Sequence, residues 1–472
     1  MFKSLQADLP RDADYPSRTF ALQVLGKVLD GTLYDHLPYD FHTEKNGAGE
    51  YIPLRDRRPS VRYALCSTVV NDSVSLLFSE GHFPAAVVDD AEVSRALMRI
   101  MKEARLNEVM LEAARRGSVG SVVVRLRVLE NRVFFDVLDT AFLTPVWRAS
   151  APDTLESVTE KYKVRGRALA ESGYTIADED VNADFWFQRV WDAEAETWFL
   201  PWRVGADADA PVVDEARTVR HRLGFVPMVW IRNLPGGDGI DGACTFADAI
   251  NTGIEIDYLL SQAGRGLKYS SDPTLLIKEP AVDAQGVLVK GAGNAITVGK
   301  DGDAKLLEIN GNSAQAVIDF VRCLRELALE SIHGNRSSAD RLAAAQSGRA
   351  MELMNQALIW LADRLRISYG EGALLELLYM VVAASQKYRL VYKRGGAVGV
   401  LRQDVDISLR WPQWYAPTYA DLVSKARGLR TLLDAEIISK ETAMGAVAAD
   451  FDVEDTGAEQ VRIDEAAAPP VL

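Results

Sequence analysis

Cysteine is scarce. Cys66, Cys244 and Cys323 are odd in number, far apart, and form no C-x-x-C pair. That excludes a disulfide framework and a thiolate zinc site, and predicts buried free thiols in a reducing compartment. Histidine is equally thin: His36, His42, His82, His221 and His333 lie in no metal-ligand spacing, and neither H-E-x-x-H nor G-x-S-x-G occurs. Long apolar runs are missing too. The stretch "ALLELLYMVVAA" at 373–384 is too short to span a bilayer and carries Glu376. "MFKSLQADLPRDADYPSR" has no apolar centre, so no signal peptide is expected. Positive charge is in deficit, with 53 Lys and Arg against 67 Asp and Glu and a formal net charge of −14. Such a chain does not grip nucleic acid over its whole surface, although it can let nucleic acid pass. The expectation is a soluble cytosolic product that is not an enzyme, with no catalytic residue, cofactor, metal or membrane segment.

What is present is a long, ordinary globular composition. At 472 residues the chain exceeds one hydrophobic core, so two or more domains are expected. The first 110 residues read as mainly helical, with "VSRALMRIMKEARLNEVMLEAARRG" as one periodic run closed by basic residues and a glycine. Val122, Val124, Leu126 and Val128 then alternate with Arg125 and Arg127, turn near Asn131, and resume at Val133, Phe135 and Val137. That predicts a hairpin with one buried face. A second hairpin carries Trp186, Trp191, Trp198 and Trp202, which read as cross-strand packing ahead of an aromatic binding platform.

After Pro235 a helix is predicted over about 243–268, with Phe246, Ile250 and Ile254 on one stripe. A Gly-punctuated β-like segment follows at 279–310, then a helix from Asn312 that buries Val317, Phe320, Val321, Leu324 and Leu327. The stretch 333–346 is polar and small. A very long helix then opens at "SGRAMELM" and runs toward Tyr388, about 60 Å if unbroken, with Gly370 and Gly372 as a kink. Strands recur in "RLVYKRGGAVGVLRQDVDISLRW", and the C-terminal part is helical before an acidic, then Ala/Pro-rich, disordered tail.

Two phosphate-loop motifs are imperfect. Gly237, Gly239 and Gly242 have the G-x-G-x-x-G spacing, but "NLPG" separates them from the preceding strand. Asp238 and Asp241 would stand where a diphosphate approaches, and no aligned acid awaits a ribose. "GNAITVGKD" at 293–301 has a spacer one residue too long, and Asp301 stands where a hydroxyl must hold magnesium. A flexible turn between sheet and helix is the preferred reading of the first loop; a nucleotide-binding enzyme built on it is the alternative.

Helix, small β insert, helix, polar loop and very long helix in that order describe a stalk with a tip. Alone it would expose apolar stripes, and copies around an axis would cover them. Here the chain resembles the portal proteins of tailed double-stranded DNA bacteriophages. The resemblance lies in "RRPSVRYALCSTVVNDSVSLLFSEGHFP", "GSVGSVVVRLRVLENRVFFDVLDTAFLTPVW" and "GFVPMVWIRNLPGGDGIDGACTFADAINTGIEIDYLLSQAGRGLKYSSDPTLLI", followed by "SGRAMELM" and "WYAPTYADLVSKARGLRTLLDAEIISKETAM". It implies an α+β, mainly helical architecture of wing, stem, clip and crown with a long kinked helix and antiparallel β hairpins. The wing would comprise 1–235 and 347–417, the first stem helix 236–268, the clip 269–311, the second stem helix 312–332, the tunnel loop 333–346, and the crown with its acidic tail 418–472. It also implies a homo-oligomeric ring, twelve-fold in the particle, at one capsid vertex of a virion assembled in the host cytoplasm. Double-stranded DNA would pass through it during packaging and ejection, and its partners would be the terminase motor, the head-completion adaptor, and the major capsid and scaffolding proteins. Asn335, Arg336, Ser337, Ser338 and Arg341 would approach the DNA, with Gly334 permitting the turn. Lys278, Lys290, Lys300 and Lys305 would lie in the clip that docks partners.

Overall fold

A computed structural model describes residues 1–205, 211–270, 274–280, 298–307, 312–334, 348–415, 417–451, 453 and 456–467. The chain divides into two compact units, Met1–Gly334 with Leu361–Trp411, and Asn335–Trp360 with Pro412–Leu472. It is an α+β protein, mainly helical, with antiparallel hairpins.

In the first unit a short helix, Phe2–Ala7, precedes the longer N-terminal helices α1 (Ser17–Leu29), α2 (Leu65–Phe78), α3 (Ala91–Glu103) and α4 (Leu106–Gly117). The Asp90 carboxylate starts α3 by accepting the N–H groups of Glu92 and Val93 at 2.9 and 3.1 Å. The single run expected over 93–117 is two helices. Arg105 at φ 51° breaks it, and α4 stops at the predicted Gly117 after Arg115 and Arg116.

Strands β1 (Ser121–Leu129) and β2 (Arg132–Asp139) form the expected hairpin. Its turn residues Glu130 and Asn131 have φ of 49° and 62°, the signature of a two-residue turn matched to strand twist. The expectation of one buried face fails for β1, which is buried from Ser121 to Leu126. It is the middle strand of three. Val122, Val124 and Leu126 enter the main core, while Val123 joins a second cluster with Leu143, Trp191 and Met228.

A five-stranded sheet holds β3 (Leu143–Arg148), β4 (Ala151–Arg165), β5 (Asp184–Trp191), β6 (Glu196–Trp198) and β7 (Trp202–Arg203). The tryptophans pack across strands as expected. Trp202 faces Trp186, Trp198 faces Arg189, and Trp191 is wholly buried. Their faces are taken by the protein's own cations: Arg189 lies 4.8 and 5.0 Å from the Trp191 and Trp198 rings, and Lys161 lies 4.5 Å from Trp186. Strand β8 (Met228–Arg232) completes the three-stranded sheet antiparallel to β1.

The long helix is interrupted twice. Gly348–Met354 ends at Asn355, then α7 (Gln356–Leu365) passes through a π-helical segment, Arg366–Leu374, into α8 (Leu375–Lys387). The π segment contains Gly370 and Gly372, where a kink was expected. Gly370 is required by close packing, because a Cβ there would enter the Trp411 indole. The stretch Gln356–Lys387 is long and apolar enough to cross a membrane, and 56% of its most apolar window is buried inside the protein. It exceeds the 12-residue run legible in the sequence because polar residues interrupt its apolar face.

In the second unit, Thr418 and Asp421 form a reciprocal capping box at the start of helix Tyr419–Asp434. The tail at 468–472 lies outside the described residues, but Thr456–Ala467 is helical, which corrects the expectation of disorder for the acidic part of the tail. Lys440 meets Asp464 at 3.2 Å, and that ion pair ties it to helix Lys440–Ala448.

Candidate functional site: a glycine joint and a two-helix stem

Two helices of the first unit carry the candidate site. Helix α5 (Ile250–Ser270) follows a short 3-10 turn, Ala247–Ala249, so it starts later than the 243 expected. Phe246, Ile250 and Ile254 do share a buried stripe, with exposures of 0, 3 and 3%. Helix α6 (Asn312–Ser331) packs against α5. Its C-terminal part inserts Ala328, Leu329 and Ile332 into the core beside α5's first turns. The expected burial fails at two of its five named positions. Val317, Val321 and Leu324 are half-buried, but Phe320 and Leu327 are 52% and 57% exposed. Cys323 between them is exposed as well, against the expectation of buried thiols. Cys66 is buried as expected and Cys244 is half-buried; loss of solvation pushes both thiols up to about 12.

Between α5 and α6 runs an antiparallel pair, β9 (Thr274–Pro280) and β10 (Val298–Leu307), with a register shift between Lys278 and Pro280. Of the lysines named above, Lys278 is exposed on β9, and Lys300 and Lys305 lie on β10, the latter opposite Leu276. Lys290 lies outside the described residues, as do Asn335, Arg336, Ser337, Ser338 and Arg341. Most of "GNAITVGKD" also lies outside them; its end is the start of β10.

The glycines at 237–242 make a joint. Strand β8 runs antiparallel to its neighbour, whereas a dinucleotide site needs a parallel sheet and a glycine opening the helix. Here α5 begins well beyond Gly242, at Ile250. Gly237 and Gly239 take φ of 93° and 90°, and a Cβ on Gly237 would strike the Asp241 carbonyl. Gly242 is packed against the Leu234 and Asn233 backbone and donates its N–H to the Gly120 carbonyl at 2.9 Å. Asp238 accepts the N–H groups of Ile240 and Asp241, at 3.0 and 2.8 Å. Those hydrogen bonds, led by that of Asp241, hold its carboxyl below the usual carboxylate range against some burial.

The joint is locked by two buried polar clusters that sequence reasoning missed. In the first, Arg18 of α1 grips Asp241 with both faces of its fork, at 2.6 and 2.8 Å. Its remaining nitrogen donates to the carbonyls of Thr140 and Leu143 at 2.9 and 3.0 Å. The Ser121 hydroxyl also donates to Asp241. Both Asp241 carboxylate oxygens are thus taken by partners within the protein. In the second, Asn233 Nδ2 donates to the Ala243 carbonyl and the Thr245 hydroxyl, both at 2.8 Å. The Tyr369 hydroxyl of the π segment donates to Asn233 Oδ1 at 3.1 Å. The only sequence signal for either cluster was an acid and an amide inside an apolar-flanked turn.

Helix α5 is anchored a second way. Asp257, 7% exposed, accepts the Tyr34 hydroxyl at 2.8 Å and the Tyr63 N–H at 2.7 Å. Burial raises the Asp257 carboxyl above its usual range despite those bonds and the nearby Arg62. Among the described residues, no three His, Cys, Asp or Glu side chains converge as metal ligands.

No protein-family model matches the chain, and no curated protein matches it. Among solved structures it is similar to a chain described as "Neck of empty GTA particle computed with C6 symmetry". That likeness covers 80% of this chain and 88% of the other, at 14% identity and a TM-score of 0.41.

The side chains of both clusters bond protein partners, so they tie the loop after β8 to α1, to the hairpin and to the π segment.

Proposed function

We propose that this chain is a portal-type subunit: identical copies close into a ring at one vertex of a phage capsid, and double-stranded DNA passes through the centre. The observation that carries the proposal is the stem. Two packed helices with a β hairpin between them present Phe320 and Leu327 to solvent, and hydrogen-bonded polar clusters hold the joint that precedes them. Half-exposed, each of these side chains stands to gain about 1 kcal/mol from a neighbouring copy. A closed ring covers such a stripe on every subunit without making fibres.

In this reading the ring is twelve-fold, the hairpin β9–β10 meets the packaging motor and later the head-completion adaptor, and capsid and scaffolding proteins surround the outer part. The subunit belongs to a virion assembled in the host cytoplasm and catalyses nothing. Its net charge of −14 serves a conduit, because a bore lined by cations would retain a polymer carrying one charge per about 1.7 Å.

Electron micrographs and mass measurement of the purified protein test this. Rings with a central hole are expected, and the Phe320→Asp/Leu327→Asp variant should stay folded but dissociate at protein concentrations where the wild type remains assembled. A monodisperse monomer at every concentration overturns the proposal.

A further inference from the structure

Away from the stem, the C-terminal end of α3 faces a tight turn of the chain at 391–397. Val391 bridges Ala397, the Tyr392 N–H donates to the Gly396 carbonyl at 3.0 Å, and Gly395 and Gly396 take φ of 86° and 95°. That turn puts Lys393 and Arg394 at its tip. Between tip and helix lies a cleft of 530 Å³ lined by Arg99, Lys102, Glu103, Arg105, Lys393 and Arg394. Five cations thus converge with one carboxylate, on a chain whose acids outnumber its bases.

The carboxylate is already used. Glu103 accepts the Lys393 N–H at 2.6 Å and Arg99 Nε at 3.0 Å, so it braces the turn against α3. Burial pushes the Glu103 carboxyl up, but these bonds and the charges of Arg99 and Arg394 outweigh it and keep the group ionised. Arg99 is held in place as well, 3.8 Å from the Tyr392 ring and bonded to the Gly395 carbonyl at 3.3 Å. Arg105 makes an exposed 3.4 Å pair with Glu108, which water screens. Lys102, Lys393 and Arg394 are exposed.

We infer that this cleft binds the phosphate backbone of duplex DNA. Every lining residue is ionisable, with no apolar or aromatic member to anchor a protein partner's core. The lysines and arginines supply positive charge, which matches phosphates in every sequence alike. The cleft therefore gives a net-acidic subunit one local holding point for DNA, distinct from the stem. The inference rests on the charge of the cleft and does not require the ring.

The test is fluorescence anisotropy with a labelled duplex, using the full chain at salt from about 50 to 200 mM. The Lys102→Glu/Lys393→Glu/Arg394→Glu variant should bind at least tenfold more weakly than wild type at the low-salt end. Its slope of log affinity against log salt should be shallower by about 0.9 for each phosphate no longer neutralised. A charge-matched control, Arg148→Glu/Arg167→Glu/Arg220→Glu, changes exposed cations elsewhere and should retain the wild-type slope. Absence of binding by wild type, equal losses in both variants, or binding of an acidic peptide in place of DNA overturns the inference. Ring formation is read from micrographs of the same samples. Cleft-specific DNA loss without rings would sink the portal reading and leave the cleft standing, and rings without DNA binding would do the reverse.

Discussion

Arg18→Met is the sharpest probe of the joint. The substitution keeps the length of the side chain and removes four charge-assisted hydrogen bonds: two to Asp241 and one each to the Thr140 and Leu143 carbonyls. The Asp241 carboxylate is then left with the Ser121 hydroxyl and its local turn for company, in a place where the residue is only 8% exposed. Breaking a buried pair by removing one partner costs about 3–5 kcal/mol. The side chains keep 18% and 12% exposure, so the lower end, about 3 kcal/mol, applies. Adding Asp241→Leu removes the orphaned charge, and the double variant should recover about 2 kcal/mol relative to the sum of the single losses. Denaturant unfolding at unchanged m measures all three. A loss below about 1 kcal/mol for Arg18→Met, or strictly additive losses, would show that the pair does not lock the joint.

Gly117→Ala should destabilise by more than Tyr369→Phe, because its Cβ would run into the Tyr369 hydroxyl, whereas Tyr369→Phe loses one buried bond to Asn233, about 1 kcal/mol; thermal melts rank the two. Asp257 carries a pH signature. Its folded carboxyl titrates above the ordinary 3.8, so the native state binds the proton more tightly than the unfolded chain. As pH rises from 3.8 through that raised value, wild type should lose stability relative to Asp257→Asn, and a difference that stays flat with pH refutes the shift. Asp90→Ala should cost about 1 kcal/mol through the lost cap of α3, measurable by denaturation, and Asp90→Asn should restore most of it.

Much of the local structure was legible in the sequence because it depends on near neighbours. The β1–β2 hairpin could be read from its alternation and from Asn131, the end of α4 from Gly117, and the disturbance of the long helix from Gly370 and Gly372. The glycine loop was readable as a joint because Asp238, Asp241 and Pro235 do not suit a pyrophosphate. Strand β4 was not legible, since "TLESVTEKYKV" carries too few apolar residues to advertise a sheet. The break at Arg105 was equally silent, because a non-glycine residue at positive φ leaves no compositional trace.

What the sequence determined by itself was those helices and hairpins with clear periodicity or turn residues, and the sign of the charge: periodicity and turn residues act over a few positions, and net charge is a sum. What only tertiary structure decided was which polar residues meet. Arg18 finds Asp241 across 223 positions, Asn233 finds Tyr369 across 136, and Glu103 finds Lys393 across 290. Pairings at that distance depend on how sheet and helices pack, which no local pattern encodes. The same packing left Phe320 and Leu327 uncovered, since one neighbouring helix can bury only one side of α6.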